Sequence, residues 1–160
     1  MAASGRRPLR ALPASLCAAA LALLPAGAAA TAPAALTPGE GVTAHTLAEG
    51  AAPHGLDIRA EGPTDVTVRV IVIEPGGSTG WHYHDGPLLG VVVSGTLTRT
   101  LDDCSVEVST AGDTLVETPG DGHVHIGRNL GNEPVVLHAT YVVPEGSPLS
   151  VDADAPACAR

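Results

Sequence analysis

Phenylalanine and lysine are absent from this 160-residue chain, and its aromatic residues are Trp81, Tyr83 and Tyr141 alone. A core made almost without rings must be made of valine, leucine and isoleucine. Positive charge is scarce too: eight arginines stand against 17 acids. Three of those arginines, Arg6, Arg7 and Arg10, fall in the first ten residues. Every acid lies further on, where only Arg59, Arg69, Arg99, Arg128 and Arg160 face them. So acidic a surface repels phosphate, which excludes nucleic acid and anionic membrane as partners. No uninterrupted apolar run approaches the roughly 20 residues that a spanning helix needs. The longest apolar stretch, "ALPASLCAAALALLPAGAAA", is broken by Pro13 and Pro25. The chain also lacks a phosphate-cradling glycine loop, a nucleophile–base pair and a carboxylate dyad. What chemistry it has must come from its seven histidines.

The start of the chain reads as a targeting segment. A basic stretch, a short apolar stretch and the small pair Ala28 and Ala30 have the layout of a secretory signal peptide over residues 1–30. Arg6-Arg7 echoes a twin-arginine signal, but Pro8 and Arg10 fit it poorly. Residues 31–41, "TAPAALTPGEG", read as a flexible leader. The expected location is secreted or extracytoplasmic, with no membrane partner once the signal is cut. Cys17 leaves with the signal. Cys104 and Cys158 remain, an even number in an oxidising compartment, which favours a disulfide over two free thiols. It would pin the C-terminal tail, residues 151–160, to the loop near residue 104. Closing such a loop stabilises a fold by roughly 4 kcal/mol in the chain-entropy view.

Residues 42–150 carry the fold. "DVTVRVIVIE" (65–74) alternates Val66, Val68, Val70 and Val72 against Thr67, Arg69, Ile71 and Ile73. That period of two marks a strand with one strongly apolar face. "LLGVVV", "TLTRTL", "CSVEVST", "DTLVE", "HVHIGR" and "PVVLHATYVV" follow as short strands between glycine, proline and aspartate. Many short strands at even spacing predict an all-β sandwich or barrel.

Residues two apart on a strand share a face. His82 therefore points with His84, and His123 with His125. Two such pairs facing one interior can surround a divalent transition metal ion. Imidazole suits iron, manganese, zinc, nickel and copper to differing degrees, and three histidines leave coordination positions open. His45 and His54 read as surface residues. His138 and Tyr141, three apart on one strand, must face opposite ways, so only one of them can reach a common pocket.

Glycines frame the first pair. Gly76 precedes His82 by six positions, and Gly95 follows His84 by eleven. That spacing resembles the first motif of the cupin superfamily, and "GDTLVETPGDGHVHIGRN" resembles the second, with Pro119, Gly122, His125 and Asn129 near their places. The resemblance covers about residues 65–145 and implies a double-stranded β-helix, or jelly-roll barrel, with histidines facing its mouth. It also implies metal ligation by His82, His84 and a histidine of the second motif. Counting from Gly112 selects His123; counting back from Asn129 selects His125, which is favoured. His123 is then a fourth ligand, or it orients one. The sequence departs from the family where the first motif has glutamate: Leu88 or Leu89 stands there instead. The expected site is therefore all-histidine, unless a distant carboxylate substitutes. Three-histidine cupin sites resemble those of thiol- or diketone-cleaving dioxygenases, so a metal-dependent dioxygenase-like or isomerase-like enzyme on a small molecule is one reading. The alternative is a non-catalytic small-ligand or structural barrel without metal. A homodimer is compatible with both.

Overall fold

The structure, a computed structural model, describes residues 40–160. The expected signal peptide, and the expected leader as far as residue 39, lie outside the described residues. Thr43–Arg160 form one compact unit. Nine strands occur among the described residues: β1 (Thr64–Ile73), β2 (His82–Tyr83), β3 (Leu88–Ser94), β4 (Thr96–Thr100), β5 (Val106–Thr110), β6 (Thr114–Glu117), β7 (Ile126–Arg128), β8 (Val135–Pro144) and β9 (Val151–Asp152). A single 3-10 turn, Ala157–Ala159, follows them. The fold is all-β, as the strand pattern predicts, and it is the jelly roll that the resemblance implies.

One sheet has the order β1-β8-β3-β6, the other β5-β4-β7, and β2 pairs with β9 at one end. All of these pairings are antiparallel. Sharp reversals between strands fall on glycines for a physical reason. Gly95, between β3 and β4, has φ 76°, and a Cβ there would lie 2.6 Å from the carbonyl oxygen of Pro134. Only glycine fits both demands.

The core lies between the sheets. It is built from Ile73, Leu88, Val92, Leu97, Leu115, Val135, Leu137, Ala139, Tyr141 and Val143. Aliphatic side chains dominate it, as the shortage of aromatics requires. Asn129, fully buried, stitches the end of β1 to the turn before β8. Its amide donates to the carbonyls of Ile73 and Glu133, both at 2.8 Å, and its Oδ1 accepts from the Gly131 N–H at 3.0 Å. That accounts for every polar atom of a side chain that would otherwise be costly to bury.

The valine face of β1 points outward, not into the core. Val66, Val68, Val70 and Val72 are each more than half exposed, whereas Ile73 is buried and Ile71 packs against the core. Register explains the inversion. β1 pairs Ile73 with Val135 and Ile71 with Leu137, so the odd-numbered residues of both strands share the inner face. The outer face of this sheet then carries the four valines beside Val136, His138, Thr140 and Val142, and beyond them Leu89 and Val91, with no charge.

Candidate metal centre

His82 opens β2 and His84 follows it by two, so both rings turn to the barrel interior. His125 stands across from His82. Each backbone donates to the other, His82 N–H to His125 oxygen at 3.0 Å and His125 N–H to His82 oxygen at 2.9 Å. This pair ties the two halves of the site together before any side chain is considered. The ring centroids of His82 and His125 lie 4.5 Å apart, and those of His84 and His125 5.3 Å.

A fourth group joins them that sequence reasoning missed. Glu117, the last residue of β6, brings its carboxylate among the rings. The ligand atoms of His82, His84, Glu117 and His125 all lie within 4.8 Å of one another. The distant carboxylate that the sequence left open is thus present, and the cluster is not all-histidine. In the register of β3 and β6, Glu117 is the direct partner of Leu88, the residue standing where the cupin motif has its glutamate. Directly opposed residues share a face, with Cβ atoms roughly 5 Å apart. The carboxylate thus reaches the same space from one strand over. The signal in the sequence was its alternation with the core residue Leu115, which places a charge on the buried face of a strand. The pairing that brings it to the histidines is not local.

His123 is not part of this cluster. Its contribution is through its backbone: His123 oxygen accepts from His125 Nδ1 at 2.9 Å. The other two rings are held the same way. His82 Nδ1 donates to Gly80 oxygen at 3.0 Å, and His84 Nδ1 donates to Leu149 oxygen at 2.6 Å. A carbonyl can only accept, so all three Nδ1 atoms carry the hydrogen. In a neutral ring each Nε2 then presents a lone pair, and those of His84 and His125 face Glu117. His84 Nε2 lies 2.9 Å from Glu117 Oε2, and His125 Nε2 lies 3.2 Å from the same oxygen. The His125 contact is close but misaligned, so Nε2 is a buried nitrogen without a hydrogen bond. Lone pairs and a carboxylate facing one another repel. Something positive belongs among them, either a proton or a metal ion. Three nitrogens and one oxygen, each oriented by a backbone carbonyl or an arginine, fit a divalent transition ion.

Charge around the site is arranged to keep Glu117 ionised. Burial pushes its pKa up, but with a proton among the rings the hydrogen bonds from His125 and His84, and the charges of His125 and Arg99, outweigh burial and hold it well below the usual carboxylate range. Arg99, itself buried, donates through Nη1 to Glu117 Oε1 at 3.3 Å and through Nη2 to Glu107. That leaves Oε2 free to face the histidines. Burial holds the His82 pKa below its ordinary value, helped by the neighbouring rings. For His125 burial acts the same way, but the Glu117 contact and charge prevail and raise it.

The cluster closes one end of a cavity of about 150 Å³. Ile71, Ile73, Leu88, Leu97, Leu137 and Tyr141 form its apolar wall. Leu88 therefore contributes wall where a motif glutamate would contribute charge. Of the late pair, Tyr141 faces the cavity and His138 lies on the outer sheet face beside Val70. His45 and His54 are exposed, as expected.

The cupin domain family matches residues 69–144, from the middle of β1 to the end of β8. That stretch of the chain is a cupin domain. Among solved structures, a conserved protein with a double-stranded β-helix domain from Klebsiella pneumoniae is 27% identical over 60% of this cupin and 75% of its own chain, with TM-score 0.48. A cupin 2 domain-containing protein from Halorhodospira halophila is 26% identical over 56% and 59%, with TM-score 0.47. The DMSP lyase DddQ of Ruegeria pomeroyi is 15% identical over 55% and 43%, with TM-score 0.48. No curated protein matches the sequence.

Proposed function

We propose that this cupin binds a divalent transition metal ion through His82, His84, Glu117 and His125, and uses it to hold and transform a small molecule in the adjoining cavity. One observation carries the reading: three imidazoles, each with its Nδ1 hydrogen spent on a backbone carbonyl, gather with the Glu117 carboxylate so that all four ligand atoms lie within 4.8 Å of one another. A bound ion would supply a Lewis-acid centre with open positions for an oxygen-donor substrate. The protein supplies the rest. An apolar wall faces the polar end, so the fitting substrate is a small molecule with one polar end and an apolar body. A cavity near 150 Å³ admits something about the size of benzene. A dioxygenase-like or isomerase-like reaction is consistent with such a site.

The test is metal content with its pH dependence. Mature protein dialysed against each candidate ion should retain close to one equivalent and melt lower with chelator. A proton on any ligand histidine competes with the ion, and His125 has its pKa raised. Affinity should therefore begin to fall while the pH is still above about 6.5, the ordinary imidazole value. His82, with its pKa lowered, competes only at lower pH. A melting point indifferent to every ion and to chelator would overturn the metal reading.

The protein is further proposed to be exported. The N-terminal signal pattern supports this, and so does the Cys104–Cys158 disulfide, which suits an oxidising compartment. It is also proposed to pair with a second copy through the outer face of the β1-β8-β3-β6 sheet. Two acidic copies repel except where neither carries charge, and this face is both apolar and uncharged. Sedimentation should give a dimer mass that Val70→Glu converts to a monomer. A monomer at every accessible concentration would reject the pairing.

A further inference from the structure

The family match ends at residue 144, yet the chain beyond it reaches back to the metal centre. Leu149 packs its side chain against the core, and its carbonyl accepts from His84 Nδ1, 65 residues away in sequence. Ser150 and Asp152 line the cavity. β9 pairs with β2, setting Asp152 opposite His82 and Val151 opposite Tyr83. The Ala153 N–H donates to Trp81 oxygen at 2.9 Å. Residues 149–153 thus form a strap lying along the strand that carries the ligands. A two-residue strand is a weak hold by itself. Beyond it the tail is fastened by Cys158, bonded to Cys104 in the turn after β4. Cys158 is exposed, so a reductant can reach the bond.

We propose that this strap is a working part of the site and that the Cys104–Cys158 bond is its lock. With the bond closed, Leu149 oxygen fixes the His84 ring with its Nε2 lone pair turned inward, and Ser150 and Asp152 narrow the cavity mouth. A dithiol reductant would deliver two electrons and two protons, cleave the S–S bond to two thiols and leave as its own disulfide. The strap is then retained only by β2 and the Leu149 contacts. It detaches more often, His84 loses its orienting acceptor, and the site opens. Leu149 and Ala153 are positioning residues in this scheme, acting through their backbones. The inference rests on the proposed metal site, but its test separates the two.

The first measurement needs no metal. Hydrogen exchange at the Ala153 amide and the nitrogen shifts of the His84 ring are compared in oxidised protein, in dithiol-reduced protein and in Cys104→Ser/Cys158→Ser. The Ala153 amide should exchange at least about tenfold faster without the bond, and His84 should lose its single Nδ1–H tautomer. The second measurement is release of bound metal to chelator, which should quicken by about 10–100-fold, the range seen when groups orienting a ligand are removed. Should the cysteine variant fail to fold, Ala153→Pro in the intact disulfide background removes the donor to Trp81 and should cost His84 its single tautomer and speed metal release. Equal exchange and an unchanged His84 ring in all forms would overturn the strap. Faster exchange in a protein that binds no metal would uphold the strap and overturn the metal reading instead.

Discussion

Glu117→Gln should lower metal affinity about 100-fold or more while leaving the metal-free protein folded, though less stable for the loss of the charge that Arg99 faces. The two halves of this expectation have one cause. Glu117 is the sole anionic donor in the cluster, and its environment keeps it ionised. An amide removes that charge. Its oxygen can still accept from Arg99 at the place of Oε1, and its NH2 can donate toward His84 Nε2 and His125 Nε2 from the place of Oε2. The repulsion among lone pairs is then relieved without an ion. The variant thus fills by hydrogen bonding the position a metal would occupy. Isothermal titration with the preferred ion reads the affinity, and melting with and without chelator reads the stability. Chelator should lower the melting point of the parent protein and leave that of the variant unmoved. Unchanged affinity in a folded variant would remove Glu117 from the ligand set and return the site to its histidines.

The histidines were legible because strand periodicity is a local property. His82 and His84 share a face whatever their strand pairs with, and Gly76 and Gly95, both at positive φ, mark the turns that bound it. The disulfide followed from parity and compartment. Other features depended on register, which no local pattern contains. Alternation along β1 divides it into two faces but does not say which turns inward. Its pairing with β8 decides that, and a slip of one residue would have reversed the outcome. The choice between His123 and His125 had the same character. Both belong to one H-x-H pair, and the backbone pair with His82 selects His125. Glu117 was hidden for a further reason. The family motif carries its carboxylate a few residues after the second histidine, whereas here the carboxylate comes from across the sheet, through the partner of Leu88. The hold of Leu149 on His84 spans 65 residues and lies outside the family match, so no motif could announce it.

That cross-strand equivalence can be tested by moving the carboxylate back. Leu88 and Glu117 face the same cavity from adjacent strands, so Leu88→Glu combined with Glu117→Leu exchanges wall and ligand. Glu117→Leu alone should abolish measurable binding. Leu88→Glu alone places two buried carboxylates face to face, so one must stay protonated in metal-free protein, at a stability cost of about 3 kcal/mol. The double variant should recover metal binding by at least about tenfold over Glu117→Leu, or about 1.4 kcal/mol of coupling in the cycle. Recovery should be incomplete. Arg99 donates to Glu117 Oε1 from β4, and a carboxylate moved to β3 must give up the geometry in which that guanidinium fixes it. Metal-free protein should also be less stable, because Arg99 keeps only Glu107 as its partner. If the double variant binds no better than Glu117→Leu, the two positions are not interchangeable. The anchoring of Glu117 by Arg99, rather than the bare presence of a carboxylate in the cavity, would then be what the site requires.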